Sequence, residues 1–116
     1  MIIDSHQHFW NYNPIKDAWI DASMKVIRRD FLPKDLKPLL DKNGIDGCIA
    51  VQADQSENET DFLLSCAQKN KFIKGVVGWL DLTSENLESR LDYYIKNPFF
   101  KGLRHIVQAE KDDYLL

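Results

Sequence analysis

Three short, largely apolar segments, Gly47–Ala53, Ile73–Leu80 and Gly102–Val107, open at positions 47, 73 and 102, repeats of 26 and 29 residues. Stretches with helical patterning lie between them, and this alternation constrains the fold more than any other feature of the chain. Gly47–Ala53 reads Gly-Cys-Ile-Ala-Val-Gln-Ala, with almost no polar alternation. Strands covered on both faces read this way, whereas a strand with one wet face alternates. Strand–helix repeats of this length predict parallel strands joined by right-handed crossovers. They should lie in sequence order, with the helices on one face of the sheet.

The remaining elements follow from local signals. The apolar run Met1-Ile2-Ile3 opens a first strand at Met1–Ser5. Lys42-Asn43-Gly44 ends a helix lying within Pro33–Asn43, with Gly44 as the residue just past its end. Pro38 is awkward in a helix interior, so regular helix is expected only from about Lys37, with Pro38 in its first turn. Ser56-Glu57-Asn58-Glu59 has the form of a capping box, each side chain meeting the other's free backbone N–H. It opens a helix from Glu57 to Asn70. A third helix, Glu85 to Lys96, carries Leu87, Leu91, Tyr94 and Ile95 at helical spacing and stops before Pro98.

Length then sets a limit. A chain of 116 residues is one domain at most, and a closed (β/α)₈ barrel takes about 250. The fold class expected is α/β: the N-terminal three to four βα units of a TIM barrel, with parallel strands. Residues 1–116 then form a partial domain with a long first loop, 9–32. Such a piece leaves two open strand edges and an inner face, including Val51, Val77 and Leu80, without packing. It is therefore expected to associate with itself or with a missing C-terminal half. A doubly wound open sheet is the alternative.

Formal net charge is −3 with bases and acids interspersed, which argues against a nucleic-acid partner. No apolar run approaches the roughly 20 residues of a membrane span. The N-terminus, acidic at Asp4 and without a basic segment, is not a secretory signal. Cys48 and Cys66 sit in apolar surroundings as free thiols, and the expected location is cytoplasmic.

The chemistry is concentrated at the start. In an extended backbone alternate side chains share a face, so His6 and His8 project together from the first strand's end. Two neutral imidazoles form half a site for a divalent metal, with zinc the expected ion. Zinc with an open position lowers the pKa of its water to about 7. The plainer alternative is a pair of polar strand-end residues. Asp4 before the pair, and Phe9 and Trp10 after it, favour the active-site reading. The following loop carries Trp10, Tyr12 and Trp19, and in barrels such loops build the site. It is either a lid over substrate or a flap folded on the sheet.

The run Ile2-Ile3-Asp4-Ser5-His6-Gln7-His8-Phe9-Trp10, followed by Arg29-Asp30-Phe31-Leu32-Pro33-Lys34-Asp35-Leu36, resembles the opening of the amidohydrolase superfamily. More narrowly it resembles the sugar-lactonase branch of L-fuconolactonase- and L-rhamnonolactonase-like hydrolases. Val51-Gln52-Ala53-Asp54-Gln55-Ser56, Gly78-Trp79-Leu80-Asp81-Leu82 and Lys101-Gly102-Leu103-Arg104-His105-Ile106-Val107-Gln108 continue the likeness in order. It implies a barrel that hydrolyses a sugar lactone to its open-chain acid by metal-assisted attack of water. His6 and His8 match the family's first-strand catalytic or metal pair. Trp10, Gln52, Trp79, Arg104 and His105 stand where substrate contacts are expected. Each has a plain structural alternative: Gln52 capping its strand, Trp79 in the core, Arg104 paired with an acid. Arg104 is favoured as a carboxylate or hydroxyl anchor because its planar fork makes bidentate contacts. On a strand Arg104 and His105 point oppositely, so both reach the site only if the strand ends there. The resemblance places the general-base aspartate on an eighth strand, beyond the four read here, and gives Asp54 and Asp81 no role. Two other functions fit a His-x-His opening: a metal-dependent phosphoesterase or deoxyribonuclease barrel, and a non-catalytic fragment that assembles with a partner.

Overall fold

The computed structural model describes residues 1–111. Its strands are β1 (Ile3–Gln7), β2 (Gly47–Val51), β3 (Ile73–Gly78) and β4 (Phe100–Leu103), and its helices α1 (Pro33–Lys42), α2 (Glu57–Lys69) and α3 (Leu87–Tyr94). One parallel sheet runs in the order β1-β2-β3-β4, as the repeat predicts. No helix among the described residues is long and apolar enough to cross a membrane.

Strand ends differ from the apolar runs, and each difference has a named cause. Met1 and Ile2 are 93% and 60% exposed, because β1 begins only where it meets β2, with Ile3 opposite Gly47. It then runs on to Gln7 and carries His6 within the sheet. β2 stops short of Ala53 because Glu59 Oε2 accepts the N–H groups of Ala53 (2.7 Å) and Asp54 (3.0 Å). β3 stops before Trp79 because the Thr60 hydroxyl takes both of that residue's backbone groups. It accepts from Trp79 N and donates to Trp79 O, each at 2.8 Å. β4 lies two residues earlier than the apolar run at its start and ends at Leu103, opposite Gly78, where β3 runs out of ladder. A short 3₁₀ turn, Val107–Ala109, replaces the expected strand end.

α1 starts at Pro33, not near Lys37. Asp35 Oδ2 accepts from Leu32 N at 2.9 Å and Pro33 takes the first helical position, where its missing N–H costs nothing. Pro38 thus sits inside the helix, on its exposed side. The other end is a Schellman closure. Gly44 adopts φ 67°, its N–H reaches Asp41 O, and Ile45 N reaches Leu40 O. At α2 the Ser56 hydroxyl accepts from Glu59 N (3.1 Å), but Glu59 reaches past the cap to the residues after β2. α3 is shorter than its periodicity suggests. Tyr94 is buried and Leu87 and Leu91 pack on the core, while Ile95 is 59% exposed.

Cys48 and Ala50 of β2, with Ile73 and Val76 from β3, pack with Leu63, Leu64 and Ala67 of α2 in the main core. Both cysteines are free and buried. Burial, and then the charge of Asp4, pushes the Cys48 thiol up to about 11. The opposite sheet face carries Ile49, Gly75 and Lys101, and the Ile49 and Lys101 side chains fill the space where a Cβ on Gly75 would stand. Val51 and Leu80 are not bare: they are 4% and 1% exposed, and Leu80 joins the main core after the chain leaves β3. Of the three apolar positions expected on an open inner face, Val77 alone is half-buried.

Candidate functional site

The C-terminal ends of all four strands meet at one edge of the sheet. His6 and His8 leave the end of β1 with their Nε2 atoms 3.2 Å apart. His8 Nδ1 lies 2.9 Å from Val51 O, a carbonyl that can only accept, so Nδ1 carries the hydrogen and the neutral ring keeps its Nε2 lone pair. A carbonyl bonded to the far ring nitrogen fixes metal-ligating histidines in this way. Two imidazole nitrogens on one tetrahedral zinc, each 2.0–2.1 Å from it, stand about 3.3 Å apart. The pair therefore fits two corners of such an ion. Among the described residues no group of three or more histidine, cysteine, aspartate or glutamate side chains gathers to hold a metal. Burial lowers the pKa of His8, and the charges of His6 and Arg104 add to this.

Arg104 follows β4 directly. Its Nε donates to Gln52 Oε1 at 2.6 Å and Nη2 to Gln52 O at 2.5 Å. Gln52 has no exposed surface, so its amide supports Arg104 from beneath. Because β4 ends at Leu103, His105 also turns to the mouth, where its Nδ1 lies 3.1 Å from Trp79 Nε1 and its Nε2 2.8 Å from Glu110. The indole N–H only donates, so His105 Nδ1 accepts and Nε2–H points to the carboxylate. Both ring nitrogens of His105 are thus occupied. Trp79 is half-buried, the partner of this histidine.

A cavity of about 520 Å³ opens beside His8 and Arg104, within the size range of small-molecule sites. Trp10 lines it, and its Nε1 is a buried donor without a hydrogen-bond partner among the described residues. Segment 9–32 contributes Trp10, Lys16, Asp17, Trp19 and Ile20 to the cavity wall. Paired backbone hydrogen bonds between Trp10 and Phe31 (2.9 Å each) clip the two ends of the segment together, with their rings 4.7 Å apart. The local patterns missed Lys16, Asp17, Ile20 and Glu59, which line the cavity with the loop's Trp19. Of the unassigned acids, Asp54 lines the cavity and exposed Asp81 caps Thr83 instead. Glu59's capping-box spacing marked it as structural, and nothing in the sequence told that its carboxylate shapes the wall. Burial pushes the Glu59 pKa up.

A profile of the amidohydrolase family matches residues 3–116. The chain is 43% identical over 110 residues to an L-fucono-1,5-lactonase of Burkholderia multivorans, covering 95% of this chain and 37% of that enzyme. It is 36% identical over 111 residues to an L-fucono-1,5-lactonase of Burkholderia ambifaria, covering 96% and 38%. Among solved structures, an amidohydrolase from Burkholderia multivorans with bound zinc superposes with a TM-score of 0.91 at 42% identity, over 97% of this chain and 39% of that one. The same enzyme with bound HEPES matches equally. This chain belongs to the amidohydrolase family, and its four parallel strands are the opening units of that family's barrel. It spans less than two-fifths of the length of these relatives.

Proposed function

We propose that these residues form the first-strand half of a sugar-lactone hydrolase site, working in the cytoplasm on a small-molecule lactone. The observation that carries the reading is the His6–His8 pair, its Nε2 atoms 3.2 Å apart and His8 oriented by Val51 O. His6 and His8 would hold a divalent ion, zinc by analogy with the zinc-bound relative, which when bound supplies Lewis-acid polarisation of a carbonyl. Arg104 keeps Nη1 free of its Gln52 bonds, so it can anchor a substrate oxygen beside His8. Trp10 contributes to the cavity wall. Trp79 and His105 brace the wall through Glu110, while buried Gln52 fixes the plane of the Arg104 guanidinium.

Catalytic zinc sites take three protein ligands, and this chain brings two together. The resemblance assigns the general base to a later strand, and general-base help is worth about 10²–10⁴-fold. The chain alone is therefore expected to retain zinc weakly and to turn over sugar lactone negligibly. Joined to the rest of a barrel, it should support hydrolysis that His6→Ala and His8→Ala each abolish. Lactone hydrolysis followed by acid release, with zinc content measured alongside, tests this. Undiminished hydrolysis by the doubly substituted barrel would overturn the assignment.

A further inference from the structure

We propose that the turn spanning residues 13–20 is the specificity element of this site, with Trp19 as a stacking platform and Lys16 as the adjacent oxygen-binding cation. The proposal rests on the lactonase reading and extends it to the ligand's shape: a polyhydroxylated ring that presents one C–H face to an indole.

The turn is held rigid from inside. Asp17 Oδ2 accepts from Asn13 N (2.9 Å), Asp17 N donates back to Asn13 O (2.8 Å), and Ile20 N reaches Asp17 O (2.9 Å). Asn13 Oδ1 accepts from both Ile15 N and Lys16 N. Asp17 and Ile20 are 8% and 1% exposed, so they anchor the turn. Trp19, between those anchors, keeps 62% of its surface exposed and lines the cavity. The neighbours fix the backbone, and the ring stays out beside the mouth.

Lys16 lines the same cavity, and its ammonium makes no hydrogen bond or ion pair among the described residues. Each nearby acid holds a neighbour through one carboxylate oxygen, and the charge of Lys16 acts on Glu59. Asp17 and Glu59 accept backbone N–H groups, and Asp54 accepts from Ser56 Oγ at 2.7 Å. The donors left to this space are the Lys16 ammonium and Arg104 Nη1, beside one exposed aromatic face. A ligand rich in oxygen acceptors, with a flat apolar side, matches that inventory.

The test is direct binding to this chain, so it needs no turnover. The probes are the 1,5-lactam of a six-carbon sugar acid, a stable stand-in for the lactone ring, and the matching open-chain alditol. Tryptophan fluorescence follows the titrations, and circular dichroism checks the fold. Trp19 and Lys16 are both exposed, so their substitution leaves the core untouched. Wild type should bind the lactam saturably and the alditol at least tenfold more weakly. Trp19→Ala should weaken lactam binding about tenfold, Trp19→Phe should restore most of it, and Lys16→Met should weaken it severalfold. Lactam binding that neither Trp19→Ala nor Lys16→Met weakens overturns this inference and leaves the lactonase reading standing. Absence of saturable lactam binding by wild type, with inorganic phosphate binding instead, overturns the lactonase reading and this inference with it.

Discussion

Arg104 shows how a single side chain couples two strands. Its fork spans the side-chain and backbone oxygens of Gln52, a residue with no access to water. Removing it leaves a buried amide oxygen without a donor, which costs about 1–3 kcal/mol. A lysine's point charge cannot span both oxygens. Arg104→Lys should thus lose nearly as much stability as Arg104→Ala in urea unfolding, and a lysine variant as stable as wild type would refute the fork's role. Glu59 gives a pH signature. Its folded pKa is raised above the ordinary 4.5 by burial. Between those two values the folded state binds more protons than the unfolded one, so stability rises as pH falls through that window. Only Oε2 takes the Ala53 and Asp54 N–H groups, and an amide oxygen can do the same. Glu59→Gln should therefore match wild type within about 1 kcal/mol near neutrality and lose this pH dependence. Glu59→Ala, which orphans both donors, should cost about 2 kcal/mol or more. Parallel pH series of chemical denaturation decide both points. The histidine pair was legible in the sequence because a period of two is enough to place it. The partnership of Gln52 with Arg104 was not, since it depends on where β4 ends.

Between elements, the strand order followed directly from the repeat, whereas the strand ends did not. Thr60 and Glu59, both on α2, close the backbone groups after β3 and β2, and no local window of either strand contains them. Apolar content therefore overran every strand that a helix side chain trims. Close packing between strands is equally invisible in composition. A Cβ on Gly47 would stand 2.5 Å from Phe72 O, the backbone acceptor for Cys48 N, while one on Gly102 would meet nothing within 4 Å. Gly47→Ala is expected to lose about 1–3 kcal/mol as the β2–β3 ladder shifts. Gly102→Ala should be neutral or slightly stabilising, through the reduced freedom of the unfolded chain. Thermal unfolding of the two variants side by side provides the comparison. Equal midpoints would mean that the ladder yields at Gly47 without cost.

The whole molecule is a slab of 44 × 39 × 21 Å with a radius of gyration of 15.2 Å, against about 13 Å for a compact chain of this length. It exposes 7873 Å², where a monomer of its mass exposes about 6,500 Å². The excess is what a barrel cut open would show. It accompanies two unpaired edges, β1 and β4, within the described sheet. Sedimentation should accordingly show concentration-dependent self-association, and a well-folded monomer at millimolar concentration would contradict it. The sheet's order also has a consequence in time. Every strand pairs with the one made just before it, so each has its template waiting when it leaves the ribosome. At 5–20 residues per second, a repeat of 26 to 29 residues emerges in roughly one to six seconds. The growing chain can add one unit at a time, and its unpaired leading edge passes from β1 to β4 as synthesis proceeds.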